Sequence, residues 1–136
     1  MNREILFRGK VFLKEEWVYG DLVKTKNLAA IKKADGDYFH PTQVSPNTVG
    51  QYTGLKDKNG KEIFEGDILD YTELDVFGED HQYRGVVKWT DDCFVCDNSD
   101  NSDSITGLAW VVKQSIELEI IGNVHDNPEL LKQQRQ

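Results

Sequence analysis

Short runs of alternating apolar and polar residues, separated by turns rich in glycine and aspartate, set the pattern of this chain. No crossover helix interrupts them. The first strand expected is Glu4 to Leu13, broken by Gly9, and the second is Trp17 to Val23. In the second, Trp17, Tyr19 and Val23 share one face while Val18 and Leu22 share the other, since side chains alternate across a strand. Trp17 and Tyr19 read as packing residues, with a ligand platform as the other reading. Residues 27–41 fit either a short helical turn or a strand at Leu28–Ile31, followed by a turn at Ala34–Asp37. His40 precedes Pro41 and is therefore pushed toward extended backbone, where it serves as a turn or surface group.

Thr48 to Thr53 is β-prone, and after Gly54 comes Asp57-Lys58-Asn59-Gly60-Lys61-Glu62. Asn59-Gly60 suits the centre of a type I′ hairpin, where both residues need positive φ; a longer diverging turn with the same tip is the alternative. Glu65-Gly66-Asp67 predicts a second turn and Ile68–Tyr71 a strand. Thr72–Gln82 carries little pattern, and Tyr83–Trp89 resumes the alternation, with Gly85 leaving room for close approach. Cys93–Cys96 and Leu108–Val112 are predicted strands flanking a polar, acidic loop. The cleanest alternation is Ile116, Leu118 and Ile120 inward, with Glu117 and Glu119 outward. Asn127-Pro128-Glu129 predicts a short terminal helix, Asn127 capping and Pro128 at its first position.

These elements give a mainly β fold without parallel α/β topology. The expected organisation is an N-terminal β subdomain, residues 1–55, packed beside an SH3-like barrel with a short C-terminal helix, residues 56–136. A chain of 136 residues lies within the range of one domain or two joined subdomains.

Charge narrows the partners. Sixteen basic and twenty-four acidic residues give a formal net charge of -8, which disfavours phosphate-driven nucleic-acid binding and suits a basic protein partner. No apolar run reaches bilayer-spanning length and Met1–Ile5 lacks the apolar stretch of a signal peptide, so a cytoplasmic protein without membrane contact is expected.

Candidate chemistry is thin. Cys93-Phe94-Val95-Cys96 has C-x-x-C spacing but supplies half a zinc site at best, with His81 and His125 distant in sequence. Residues three apart on a strand face opposite ways, so one cysteine should be core and the other peripheral. The acidic stretch Asp97–Asp103 lacks the glycine and glutamate positions of an EF-hand. Glu62, Glu65, Asp67 and Asp70 could serve a metal-dependent hydrolase only by converging on bound ions, and nothing in their spacing demands it. Phosphate-binding glycine loops, zinc-protease helices and nucleophile elbows have no sequence counterpart here, so no catalytic, cofactor or metal residue is assigned.

The run Val49-Gly50-Gln51-Tyr52-Thr53-Gly54-Leu55-Lys56-Asp57-Lys58-Asn59-Gly60-Lys61-Glu62-Ile63-Phe64-Glu65-Gly66-Asp67-Ile68 closely resembles the signature of the YopX family of bacteriophage and prophage proteins. Arg3–Arg8 and Glu119–Leu131 resemble its two ends. The resemblance implies a mainly β, SH3-like phage or prophage protein capable of self-association, without catalytic residues to carry across. On this reading Gly50, Gly54, Asn59, Gly60, Gly66 and Asp67 shape turns, while Tyr52, Phe64 and Tyr71 are candidates for an interaction surface. The leading expectation is a noncatalytic binding or assembly module, with a protein partner or a second copy of itself, in the bacterial cytoplasm. A nucleic-acid-binding face using Lys56, Lys58, Lys61, Arg84 and Lys88 comes second, and a metal-dependent hydrolase third.

Overall fold

In the computed structural model, residues 4–98 and 105–132 are described. The chain divides into two compact units, residues 1–54 and 55–136, and each has its own apolar core. The fold is mainly β, with two antiparallel sheets and two short α-helices. Among the described residues no helix is long and apolar enough to cross a membrane.

The first unit is built from β1 (Phe7–Lys10), β2 (Trp17–Lys24), β3 (Ala29–Lys33), β4 (Thr42–Val44) and β5 (Gly50–Lys56), whose last two residues enter the second unit. Their order is β4-β3-β2-β1-β5. Gly9 does not break the first strand: it pairs with Val18, and a Cβ there would press against the Val44 side chain. Val18, Ala29, Ile31 and Val44 form the core, with Leu22 packed against them. The core face of β2 is therefore the Val18/Leu22 face. Trp17 lies opposite, with the Arg8 guanidinium 4.8 Å over its ring, and Tyr19 is exposed. Beyond β1 the sheet curls, so that Val11 bridges to Val44.

The second unit holds β6 (Glu62–Phe64), β7 (Asp67–Leu74), β8 (Asp80–Trp89), β9 (Phe94–Asp97), β10 (Ile105–Gly107), α1 (Leu108–Gln114), β11 (Ile116–Asn123) and α2 (Glu129–Lys132). Its main sheet runs β10-β9-β8-β7-β11. That order is linear, with β10 and β11 at its edges, so among the described residues the expected SH3-like closure is not found.

Three local expectations change. Leu108–Val112 is helical: Leu108, Val111 and Val112 all pack on the core, an i, i+3, i+4 spacing that a helix face satisfies and a strand does not. Thr72–Gln82 is not an unpatterned crossing but the far end of a long β7–β8 hairpin, paired from Ile68–Val86 out to Leu74–Asp80. Its outer residues are largely exposed on both faces, which is why the side-chain pattern there is weak. In β11 two register shifts against β7 interrupt the alternation; Glu117 takes φ 58°, Leu118 is buried, and Ile116 is exposed.

The terminal helix is where the sequence places it. The Asn127 side chain, however, accepts a hydrogen bond from the Asn123 N–H across the turn rather than capping the helix.

Candidate functional site

The two hairpins of the second unit use the same turn chemistry. In Asp57-Lys58-Asn59-Gly60-Lys61, Gly60 N–H donates to Asp57 O (3.0 Å) and Asp57 N–H to Lys61 O (2.9 Å). Asp57 Oδ1 accepts from the Asn59 and Lys61 amides, both at 2.9 Å. Only Gly60 has positive φ (79°), so the turn is type I with a glycine bulge instead of type I′. In Asp75-Val76-Phe77-Gly78-Glu79 the pattern repeats: Gly78 N–H to Asp75 O (3.0 Å), Asp75 N–H to Glu79 O (2.9 Å), Gly78 at φ 82°. Asp75 Oδ1 accepts from the Phe77 (2.8 Å) and Glu79 (2.9 Å) amides. The decisive residues are an aspartate at the first position and a glycine at the fourth.

What the two turns present differs. Asp57 is buried, and its Oδ2 reaches across to the Ile120 amide (3.1 Å) while Lys58 N–H donates to Leu118 O (2.9 Å). That hairpin is tied into β11. The β7–β8 tip instead projects Val76 (93% exposed) and Phe77 (86% exposed), with Leu74 exposed beside them. Around this apolar tip stand Asp75, Glu79 and His81, whose ligand-type atoms all lie within 4.8 Å of one another. His81 Nε2 is 2.8 Å from Asp75 Oδ2. That hydrogen bond holds the His81 pKa above its ordinary value, and it acts with the Glu79 amide to hold the Asp75 carboxyl below its own.

The second turn of the sequence signature is equally specific. The buried Asp67 carboxylate accepts the Phe64 amide at 2.8 Å, and Gly66 sits at φ 91°. Gly66 N–H donates to Val87 O (2.8 Å) and its carbonyl accepts from Val124 N–H (2.9 Å), so one turn joins β8 to the segment after β11. The model of the YopX protein family matches residues 6–132. The chain belongs to the YopX family.

A crystal structure of protein EF1440 from Enterococcus faecalis is similar to this YopX chain, with 24% sequence identity and a TM-score of 0.59. The match covers 96% of this chain and 99% of that one, and it establishes a shared fold. Among curated proteins none matches.

Within the YopX signature, Asn59, Gly60 and Gly66 lie in turns and Asp67 opens β7 directly after one, whereas Gly50 and Gly54 lie inside β5. Gly54 bends that strand at φ 87°. Tyr52, Phe64 and Tyr71, the aromatic residues considered for an interaction surface, are all buried. Tyr71 belongs to the apolar core of the second unit. Phe77 is exposed at a turn, as is Phe39 beside Asp37; Thr72–Gln82 carries no periodicity that marks Phe77, and the Asp-x-x-Gly repeat of the first hairpin is the signal available.

Of the basic residues considered for a nucleic-acid face, Lys56, Lys58, Lys61 and Lys88 are exposed and Arg84 is half-buried. Lys58 pairs with Glu117 (2.8 Å), Lys88 with Asp97 (2.7 Å), and Arg84 binds both Asp70 oxygens (2.6 and 3.0 Å) and the Leu130 carbonyl (2.9 Å). Arg84 thereby fastens α2 to β8. Of the four carboxylates weighed for a hydrolase, Asp67 and Asp70 are committed to the Phe64 amide and to Arg84. None of the four joins the Asp75–Glu79–His81 group.

Cys96 is buried in β9, and Cys93 is exposed in the bend that precedes the strand. Cys96 Sγ lies 3.8 Å from Tyr71 Oη, and Tyr71 donates to Asn98 Oδ1 (2.9 Å). Asn98 Nδ2 donates in turn to Arg84 O (2.7 Å). Burial pushes the Cys96 thiol up to about 11, so near neutral pH it is a packing group, not a thiolate. Gly85 makes room for this network: a Cβ there would meet Cys96 Sγ and Asn98 Nδ2. The acidic residues between Asp97 and Asp103 fall largely outside the described residues.

Proposed function

We propose that this YopX-family protein is a noncatalytic binding module that grips a basic protein partner through the tip of its β7–β8 hairpin, in a phage or prophage setting within the bacterial cell. The observation that carries the reading is the exposure of Val76 and Phe77 at the end of a turn braced by Asp75. An ordered apolar tip loses little conformational freedom when it enters a pocket, and aromatic anchors dominate many interfaces. The charge supports a basic rim around that pocket. Residues 1–54 carry eight basic and six acidic side chains, whereas residues 55–136 carry eight basic and eighteen acidic ones. The acidic excess therefore belongs to the unit that bears the tip.

The test compares capture by the wild-type chain with capture by the Val76→Ser/Phe77→Ser double variant, using nuclease-treated extract of phage-infected or prophage-induced cells. Circular dichroism checks that the variant stays folded. The expected result is a basic protein retained by wild type and lost from the variant. Identical capture by both would overturn the reading, and retention that vanishes with nuclease would favour nucleic acid instead.

A further inference from the structure

We infer that Asp75, Glu79 and His81 form a binding site for a borderline divalent transition ion such as Zn²⁺, placed at the base of the hairpin tip. All three residues come from one turn and the strand that leaves it, at positions i, i+4 and i+6. Their ligand atoms already lie within 4.8 Å of one another. Zinc–nitrogen and zinc–oxygen bonds of roughly 2.0–2.2 Å place tetrahedral ligand atoms about 3.3–3.6 Å apart. The gathering thus needs only rotamer adjustments, and the exposure of Glu79 and His81 leaves room for them.

The donor set selects the ion. An imidazole nitrogen with two carboxylates suits zinc and its neighbours, whereas magnesium and calcium require oxygen-rich shells. Asp75 is prepared for the task because its two oxygens are divided. Oδ1 is held by the Phe77 and Glu79 amides, which fixes the carboxylate, while Oδ2 faces His81 and exchanges that hydrogen bond for the metal. Three protein ligands leave a fourth position for water or for a donor from another molecule. This site does not depend on the partner reading: it is a property of the isolated chain.

The experiment titrates ZnCl₂, and MgCl₂ in parallel, into the isotopically labelled full chain and follows the His81 ring and backbone amides by NMR. Expected is a one-to-one zinc response centred on His81, Gly78 and Glu79, with no comparable response to magnesium. Losing even an outer-shell partner weakens metal binding about 10–100-fold, so His81→Ala and Glu79→Gln should each weaken zinc binding at least about tenfold while β7–β8 amide dispersion is kept. Val76→Ser/Phe77→Ser should bind zinc as wild type does. An unchanged zinc affinity in His81→Ala, a response centred on Cys93 or His40, or no response at all would overturn the inference.

Discussion

Asp57 shows how one side chain organises three pieces of backbone. Its carboxylate accepts the Asn59 and Lys61 amides within its own turn and the Ile120 amide from β11. Burial pushes its pKa up, but those three amides and the Lys61 charge outweigh burial, and the net shift is downward. A carboxyl whose folded pKa lies below its unfolded value of about 3.9 adds stability that is fully present above that pH. The stability is lost as pH falls through the folded value. Asn at this position puts an NH₂ donor against an amide donor, so Asp57→Asn should cost roughly 1–3 kcal/mol at neutral pH. Its urea-unfolding free energy should also fall less steeply than wild type's below about pH 4. A variant that kept the wild-type acid slope would remove Asp57 from the acid response.

At the scale of elements, the two Asp-x-x-Gly turns separate conformational strain from packing. Gly60 and Gly78 both have positive φ, and a Cβ at either would meet nothing within 4 Å. Alanine should therefore cost only the left-handed backbone penalty, about 1–2 kcal/mol in each hairpin, measured by denaturant unfolding. A much larger loss at Gly60 than at Gly78 would mean that the strain spreads into the β11 contacts of Lys58 and Asp57. The elements also show what could be read early. Strands β2 and β7 were legible because Val18 and Leu22 in one, and Leu69 and Tyr71 in the other, share an apolar face on the core. The β7–β8 extension was not, because its outer residues make ladder bonds with both faces in water; α1 was not, because five apolar-rich residues fit either period.

Across the whole molecule, charge is distributed by unit, with eighteen of the twenty-four acidic residues in 55–136. If that field steers a basic partner to the hairpin tip, the association rate should fall as salt rises, since screening shortens the reach to about 8 Å at physiological ionic strength. The dissociation rate, set by Val76 and Phe77, should change far less. Surface-capture kinetics across a salt series separates the two, and a salt-independent association rate would remove electrostatic steering from the proposal.

By itself the sequence determined the mainly β character, the turn positions at Asn59-Gly60 and Gly66-Asp67, and the YopX membership. The strands and turns depend on residues close together in the chain, where local backbone preferences and alternation act directly, while the membership rests on matching segments along its length. Tertiary structure alone decided that Tyr52, Phe64 and Tyr71 are buried and that Lys58, Arg84 and Lys88 are spent on ion pairs. It also decided that, among the described residues, β10 and β11 are the edges of the second sheet. Burial and pairing are set by which strands become neighbours and in what register, and a sequence pattern of period two is silent on both.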